Sequence, residues 1–127
     1  MRDIKLTIQI NKPLSEVFAF TINPKNTPSY VDSIIVEKTS EWPVKKGAAY
    51  RNKRENSEWS EYEVTEFKEN EIFELHKKND DIIVRYTFKP INNKITELEY
   101  YVQTKAGGLD EASIRNIVEK LKIVLEK

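Results

Sequence analysis

Gly107-Gly108-Leu109-Asp110-Glu111-Ala112-Ser113-Ile114-Arg115-Asn116-Ile117-Val118-Glu119-Lys120-Leu121-Lys122-Ile123-Val124-Leu125 is the stretch that decides the fold. Its residues Leu109, Ala112, Ile114, Ile117, Val118, Leu121, Val124 and Leu125 recur at the 3.6-residue period of a helix, where most earlier segments alternate with a period of two. Asp110 suits the N-cap, and Leu109 and Ile114 are spaced as a hydrophobic staple around it. The Gly107-Gly108 pair reads as a flexible joint that lets the helix fold back. So long and broad an apolar stripe needs a large apolar partner, and only the concave face of a sheet is large enough.

Working outward, Asp3 to Ile10 alternates strictly, with Ile4, Leu6, Ile8 and Ile10 on one face. Pro13 suits the first position of a helix, which Leu14, Val17, Phe18 and Ile22 continue until Asn23-Pro24 breaks it. A second short helix is expected around Pro28 to Ser33. Ser33–Ser40 reads as the second strand, followed by extended segments at roughly Ala48–Glu55, Trp59–Phe67, Ile72–Lys78, Ile82–Lys89 and Lys94–Thr104. The joints at Asn56-Ser57, Glu69-Asn70, Asn79-Asp80-Asp81 and Asn92-Asn93 are short and polar, so these strands form an antiparallel meander; parallel neighbours need crossovers of a dozen residues. The expectation is a single α+β domain over 1–127, ordered β-α-α-β₆-α, whose curved antiparallel sheet of about seven strands wraps the C-terminal helix.

Composition narrows the function. Twenty-one basic side chains balance 21 acidic ones, so no field of one sign steers nucleic acid or anionic lipid toward the chain. The absence of cysteine removes disulfides, thiolate nucleophiles and cysteine-based metal sites. The N-terminus alternates at once instead of opening an apolar signal core, and the longest apolar run is Val17-Phe18-Ala19-Phe20, far short of the ~20 residues that span a bilayer. Cytoplasmic residence is the expectation, without nucleic acid, membrane insertion or cofactor. A protein partner, and a homodimer as well as a monomer, stay open.

The string Ile10-Asn11-Lys12-Pro13-Leu14-Ser15-Glu16-Val17-Phe18-Ala19-Phe20, with Asn23-Pro24 and Tyr30 after it, resembles the START-like, helix-grip superfamily (SRPBCC), especially its polyketide cyclase and lipid-transport branch. Gly47, Val64-Thr65-Glu66-Phe67 and Leu121-Lys122-Ile123-Val124-Leu125-Glu126 extend the resemblance over essentially the whole chain. Tyr30 stands where the group often has Trp, and the chain is short for it. The resemblance implies a hydrophobic tunnel between sheet and helix, of the kind that holds lipids, sterols, polyketides or aromatic metabolites. It also implies that some members cyclise or dehydrate polyketides and some act as co-chaperones.

Alternation suggests how such a cavity is lined. Val84, Tyr86 and Phe88 share a face opposite Ile83, Arg85 and Thr87; Leu98, Tyr100 and Val102 match them on the last strand. Tyr50 and Tyr62 add two hydroxyls from the middle strands. With Phe18 and Tyr30 before the sheet and Ile117 and Leu121 on the helix, these give ten ligand-lining candidates: Phe18, Tyr30, Tyr50, Tyr62, Val84, Tyr86, Phe88, Tyr100, Ile117 and Leu121. An apolar wall carrying phenolic hydroxyls suits a small hydrophobic or aromatic ligand with one or two polar atoms, with Tyr86 and Tyr100 as its anchors. The competing reading is that the rings merely fill a core.

Catalysis has less support. His76 and Glu74 fall on the face opposite Phe73 and Leu75, and two ligands without a third make no metal site. Glu97 and Glu99 share a strand face, but in the phase opposite Leu98 and Tyr100. No Gly-x-Ser-x-Gly elbow and no phosphate-binding glycine pattern occurs. The basic run Arg51-Asn52-Lys53-Arg54, near Trp42 and Trp59 in sequence, puts Arg51 and Lys53 on one face and Arg54 on the other, which reads as a solvated edge. Alternation places almost no ionisable group inside. A polyketide cyclase-like enzyme and a co-chaperone-like interaction module are therefore the alternatives to binding alone.

Overall fold

A computed structural model of the protein describes residues 2–105 and 108–127. Seven strands, β1 (Arg2–Ile10), β2 (Ile34–Thr39), β3 (Ala49–Arg54), β4 (Trp59–Lys68), β5 (Ile72–Lys77), β6 (Ile83–Pro90) and β7 (Thr96–Thr104), form one sheet. Its spatial order is β1-β7-β6-β5-β4-β3-β2, every pair antiparallel. Helix α1 (Leu14–Ile22) follows β1, and α2 (Glu111–Glu126) follows β7. The architecture is the α+β helix grip that the periodicities predict.

The hairpins close on asparagine. Asn56, Asn70 and Asn79 all take φ near +60°, a left-handed conformation that asparagine tolerates because its short polar side chain bonds locally. The expected second helix shrinks to a single 3₁₀ turn, Thr27–Ser29. Its hydroxyls turn back on local or cross-strand partners: Ser29 Oγ donates to the Asn26 carbonyl at 2.5 Å, and Thr27 Oγ1 to Glu37 at 2.6 Å.

Helix α2 starts as its sequence dictates. The Asp110 carboxylate accepts from the Ala112 amide at 3.1 Å and from Ser113 Oγ at 2.7 Å. Gly107 lies outside the described residues, whereas Gly108 sits at φ 106°, which glycine alone adopts without strain. Ile114, Val118, Leu121 and Leu125 are buried against the sheet, and Ile123 faces outward. At the opposite end of the concave face, α1 buries Val17, Phe18, Thr21 and Ile22. The Phe18 ring meets Phe88 edge-on at 5.1 Å and Phe67 at 5.6 Å, so this end of the core is filled.

The other sheet face carries charge. Glu74 pairs with Arg85 at 3.4 Å and accepts from Thr65 Oγ1 at 2.9 Å; Lys5 faces Glu99 at 3.5 Å. Such exposed or half-exposed pairs contribute little stability each, but they confirm the phase of the strands. Trp59 is 41% exposed, with Arg51 5.4 Å and Lys38 5.9 Å from its ring centre. Among the described residues, no helix is long and apolar enough to cross a membrane.

Candidate functional site

The concave face leaves a volume unfilled by side chains, beneath the 3₁₀ turn and α2. A cavity of about 100 Å³ lies there. Tyr50 on β3, Tyr62 on β4, Phe73 and Leu75 on β5, Val84 and Tyr86 on β6 and Tyr100 on β7 wall it from the sheet. Ile117 on α2 and Tyr30, Val31 and Ile34 beside the turn close the other side.

Seven of the ten expected residues therefore meet at one place: Tyr30, Tyr50, Tyr62, Val84, Tyr86, Tyr100 and Ile117. Phe18, Phe88 and Leu121 do not. They are buried in the packed core: the Phe18 ring of α1 covers Phe88 near the end of β6, while Val84 and Tyr86 earlier in the same strand stay in the cavity wall.

The tyrosines have distinct duties. Helix α1 ends without a glycine, so its last carbonyls need donors from elsewhere. The Tyr30 hydroxyl donates to the Thr21 carbonyl at 2.9 Å, the Tyr50 hydroxyl to the Ile22 carbonyl at 2.5 Å, and Asn26 Nδ2 to the Phe20 carbonyl at 3.2 Å. Two phenols of the cavity wall thus cap the helix. Tyr86 and Tyr100 instead lie against each other, their rings meeting edge-on at 4.9 Å. Burial pushes all four hydroxyls above the ordinary phenol range, so they remain protonated.

One side of the wall is polar, which corrects the expectation of an interior nearly free of ionisable groups. Thr27, Glu37, Asn52 and Arg54 line it. Thr27 Oγ1 donates to Glu37 Oε1 at 2.6 Å and Asn52 Nδ2 to Glu37 Oε2 at 3.2 Å. Arg54 reaches Asn52 Oδ1 through Nη1 at 3.4 Å and Ser33 Oγ through Nε at 3.3 Å. Burial raises the Glu37 carboxyl above its usual range, partly offset by the Thr27 and Asn52 bonds and the Arg54 charge.

Arg54 and Asn52 are legible in retrospect, since they share the phase of Tyr50 along β3. Glu37 is hidden by a β-bulge. The β2–β3 register shifts between Ile34 and Val36, so Ile34 faces Arg54 while Glu37, an odd step away, faces Asn52 on the same side. Ile35, at the shift, is 54% exposed.

Outside the cavity, His76 Nε2 lies 3.0 Å from the Asp80 carbonyl and Glu74 is held by Arg85 and Thr65. Among the described residues, no three His, Cys, Asp or Glu side chains gather as metal ligands.

Comparison with known proteins agrees with this geometry at the level of fold. Residues 29–121 match the family model described as "Domain of unknown function (DUF3284)". The chain belongs to this family. The DUF3284 match spans β2 to most of α2, and with them the strands and helix that wall the cavity. A search of curated proteins finds no match. Among solved structures, this DUF3284 chain is similar to a conserved protein of unknown function, EF2215, from Enterococcus faecalis, with a TM-score of 0.80 at 12% identity over 98% of this chain and 71% of that one. It also resembles the di-domain ARO/CYC BexL from the BE-7585A biosynthetic pathway (TM-score 0.78, 14% identity, 97% of this chain and 46% of that one). The Aha1 dimer from Colwellia psychrerythraea is a third (TM-score 0.73, 14% identity, 99% and 97%). At such identities the likeness shows the fold alone.

Proposed function

We propose that this domain binds a small, largely apolar or aromatic molecule in the cavity between its sheet and α2, as a START-like protein of the cytoplasm. The observation that carries the proposal is the cavity itself: about 100 Å³ left open among Tyr62, Val84, Tyr86, Tyr100 and Ile117 in a core that is otherwise packed. A dry engineered cavity of ~150 Å³ takes benzene, so the occupant of this one is on the scale of a single ring or a short branched chain. A diacyl lipid or a multi-ring polyketide exceeds that volume unless α2 and the 3₁₀ turn move apart. The fold shared with an ARO/CYC protein of a biosynthetic pathway supports a small-molecule ligand.

The test is a titration with toluene and with short alkanols, followed by amide and methyl NMR shifts. Saturable shifts confined to Val84, Ile117 and their neighbours are expected. No saturable shift up to the solubility limit overturns the proposal.

One observation favours a second reading, a polyketide cyclase-like enzyme: a half-buried carboxylate with a raised proton affinity, Glu37, stands in the cavity wall near Arg54. In that reading Glu37 takes a proton from a carbon next to a carbonyl, and Arg54 bonds the enolate oxygen that forms. Catalysed deuterium exchange into the methyl group of acetophenone, lost in Glu37→Gln, is its signature; exchange at the buffer rate refutes it.

A further inference from the structure

Asn52 and Arg54, which share one face of β3, and Glu37, which the bulge in β2 turns to the same side, form a polar corner in an otherwise apolar cavity. Their bonding leaves a definite set of vacancies. Each Glu37 oxygen already accepts one hydrogen bond, from Thr27 or Asn52, and a carboxylate oxygen accepts about two. Arg54 spends Nε on Ser33 and one Nη1 hydrogen on Asn52, out of five N–H groups. Among the described residues no carboxylate pairs directly with Arg54, because Asn52 stands between it and Glu37. The corner therefore offers acceptor and donor positions side by side, and its two charges are opposite.

That balance selects against a charged ligand. An anion placed against Arg54 meets the negative field of Glu37, and a cation placed against Glu37 meets Arg54; at the low effective dielectric of a half-buried site neither repulsion is well screened. A wholly apolar group displaces water from the open acceptor and donor positions of Glu37 and Arg54 and puts nothing in its place, which is costly in its own way. A neutral head that donates and accepts at once meets both. We propose that the polar corner Glu37–Asn52–Arg54 sets the specificity of the cavity, and that the ligand is a neutral one-ring molecule whose head carries a hydrogen-bond donor and acceptor together, as a primary carboxamide does. The donor bonds Glu37, the acceptor bonds Arg54, and the ring lies among Tyr86, Tyr100, Val84 and Ile117. This rests on the cavity being a binding site, as proposed above.

Four probes that share one ring separate the two proposals: benzamide, benzoate, benzylammonium and toluene, titrated into the whole chain at pH 7 by calorimetry and NMR. The corner predicts benzamide at least ten-fold tighter than each of the others. Glu37→Gln keeps the shape and leaves Arg54 as the lone charge, so benzoate should overtake benzamide. Arg54→Gln leaves Glu37 alone, so benzylammonium should gain instead. Either variant suffices should the other not fold, and the wild-type ranking needs neither. Toluene equal to or tighter than benzamide overturns the inference and leaves the cavity as a binding site. A charged probe that binds tightest in the wild type overturns it as well. Failure of all four to bind overturns the binding proposal with it.

Discussion

Tyr50→Phe removes one oxygen atom from the cavity wall, and its cost follows from where that oxygen points. The hydroxyl is the donor to the Ile22 carbonyl at the end of α1, at 2.5 Å, in a place where Tyr50 is 1% exposed. Phenylalanine preserves the ring and its 5.3 Å packing on Phe73, so the change isolates the hydrogen bond. A buried carbonyl left without a donor costs about 1–3 kcal/mol. Unfolding entropy of about 2.1 cal/mol/K per residue amounts to about 0.27 kcal/mol/K over 127 residues, so each kcal/mol lowers Tm by about 4 °C. Tyr50→Phe should therefore lower Tm by about 4–11 °C in a thermal melt followed by circular dichroism. The control is Tyr101→Phe, whose hydroxyl reaches Asp3 at 3.2 Å on the outer face and should change Tm by about 2 °C at most. Amide exchange should quicken in the last turn of α1 for the first variant only. Equal melting of the two variants and the wild type would refute the assignment of Tyr50 as a helix cap.

Three further outcomes follow from the same structure. Glu37 holds its proton more tightly folded than unfolded, so its contribution to stability is full below the ordinary carboxylate value of 4.5 and is lost as pH rises through the higher folded value. Wild type should accordingly lose stability relative to Glu37→Gln as pH climbs from 4.5 toward neutrality, and parallel Tm–pH curves would contradict this. Leu121→Ala, at a fully buried position of α2, should cost about 2–5 kcal/mol in urea unfolding; a loss under 1 kcal/mol would mean that α2 does not anchor the core. Asp32 ties the segment after the 3₁₀ turn to α2 through Asn116 Nδ2 at 3.0 Å and Lys120 Nζ at 2.5 Å. Asp32→Ala should speed association and dissociation of toluene alike in stopped-flow measurements, with Kd nearly unchanged, whereas unchanged rates would exclude this latch from the access route.

The fold was legible because two periods and a set of asparagine turns are local signals. Alternation in β1, β6 and β7 and the 3.6-residue stripe of α2 each follow from a single buried face, and no distant residue alters them. The aromatic side of the cavity was legible for the same reason: Tyr86 and Tyr100 face each other in register across β6 and β7, as their phases require. The polar corner was not. Glu37 comes inward only because one extra residue interrupts β2, and a bulge leaves no mark on a pattern of Ile, Ile and Val in which any of the three can face inward. Nor does alternation separate Phe88 from Tyr86: both point inward, and only the packing of Phe18 decides that one is filled core and the other cavity wall.

The place of β1 in the sheet has a bearing on how the chain assembles. Strands β2 to β7 each pair with a neighbour next in sequence, but β1 pairs with β7, Arg2 against Thr104 and Ile10 against Thr96. During synthesis the meander finds its partners as it emerges, while β1, made first, waits for a strand made almost last. Its apolar face of Ile4, Leu6, Ile8 and Ile10 is without cover for that interval, and α2, which packs over the same edge, arrives later still. Closing the sheet thus rests on one pairing of high sequence separation, made only after the meander between its two strands has formed its own local pairs.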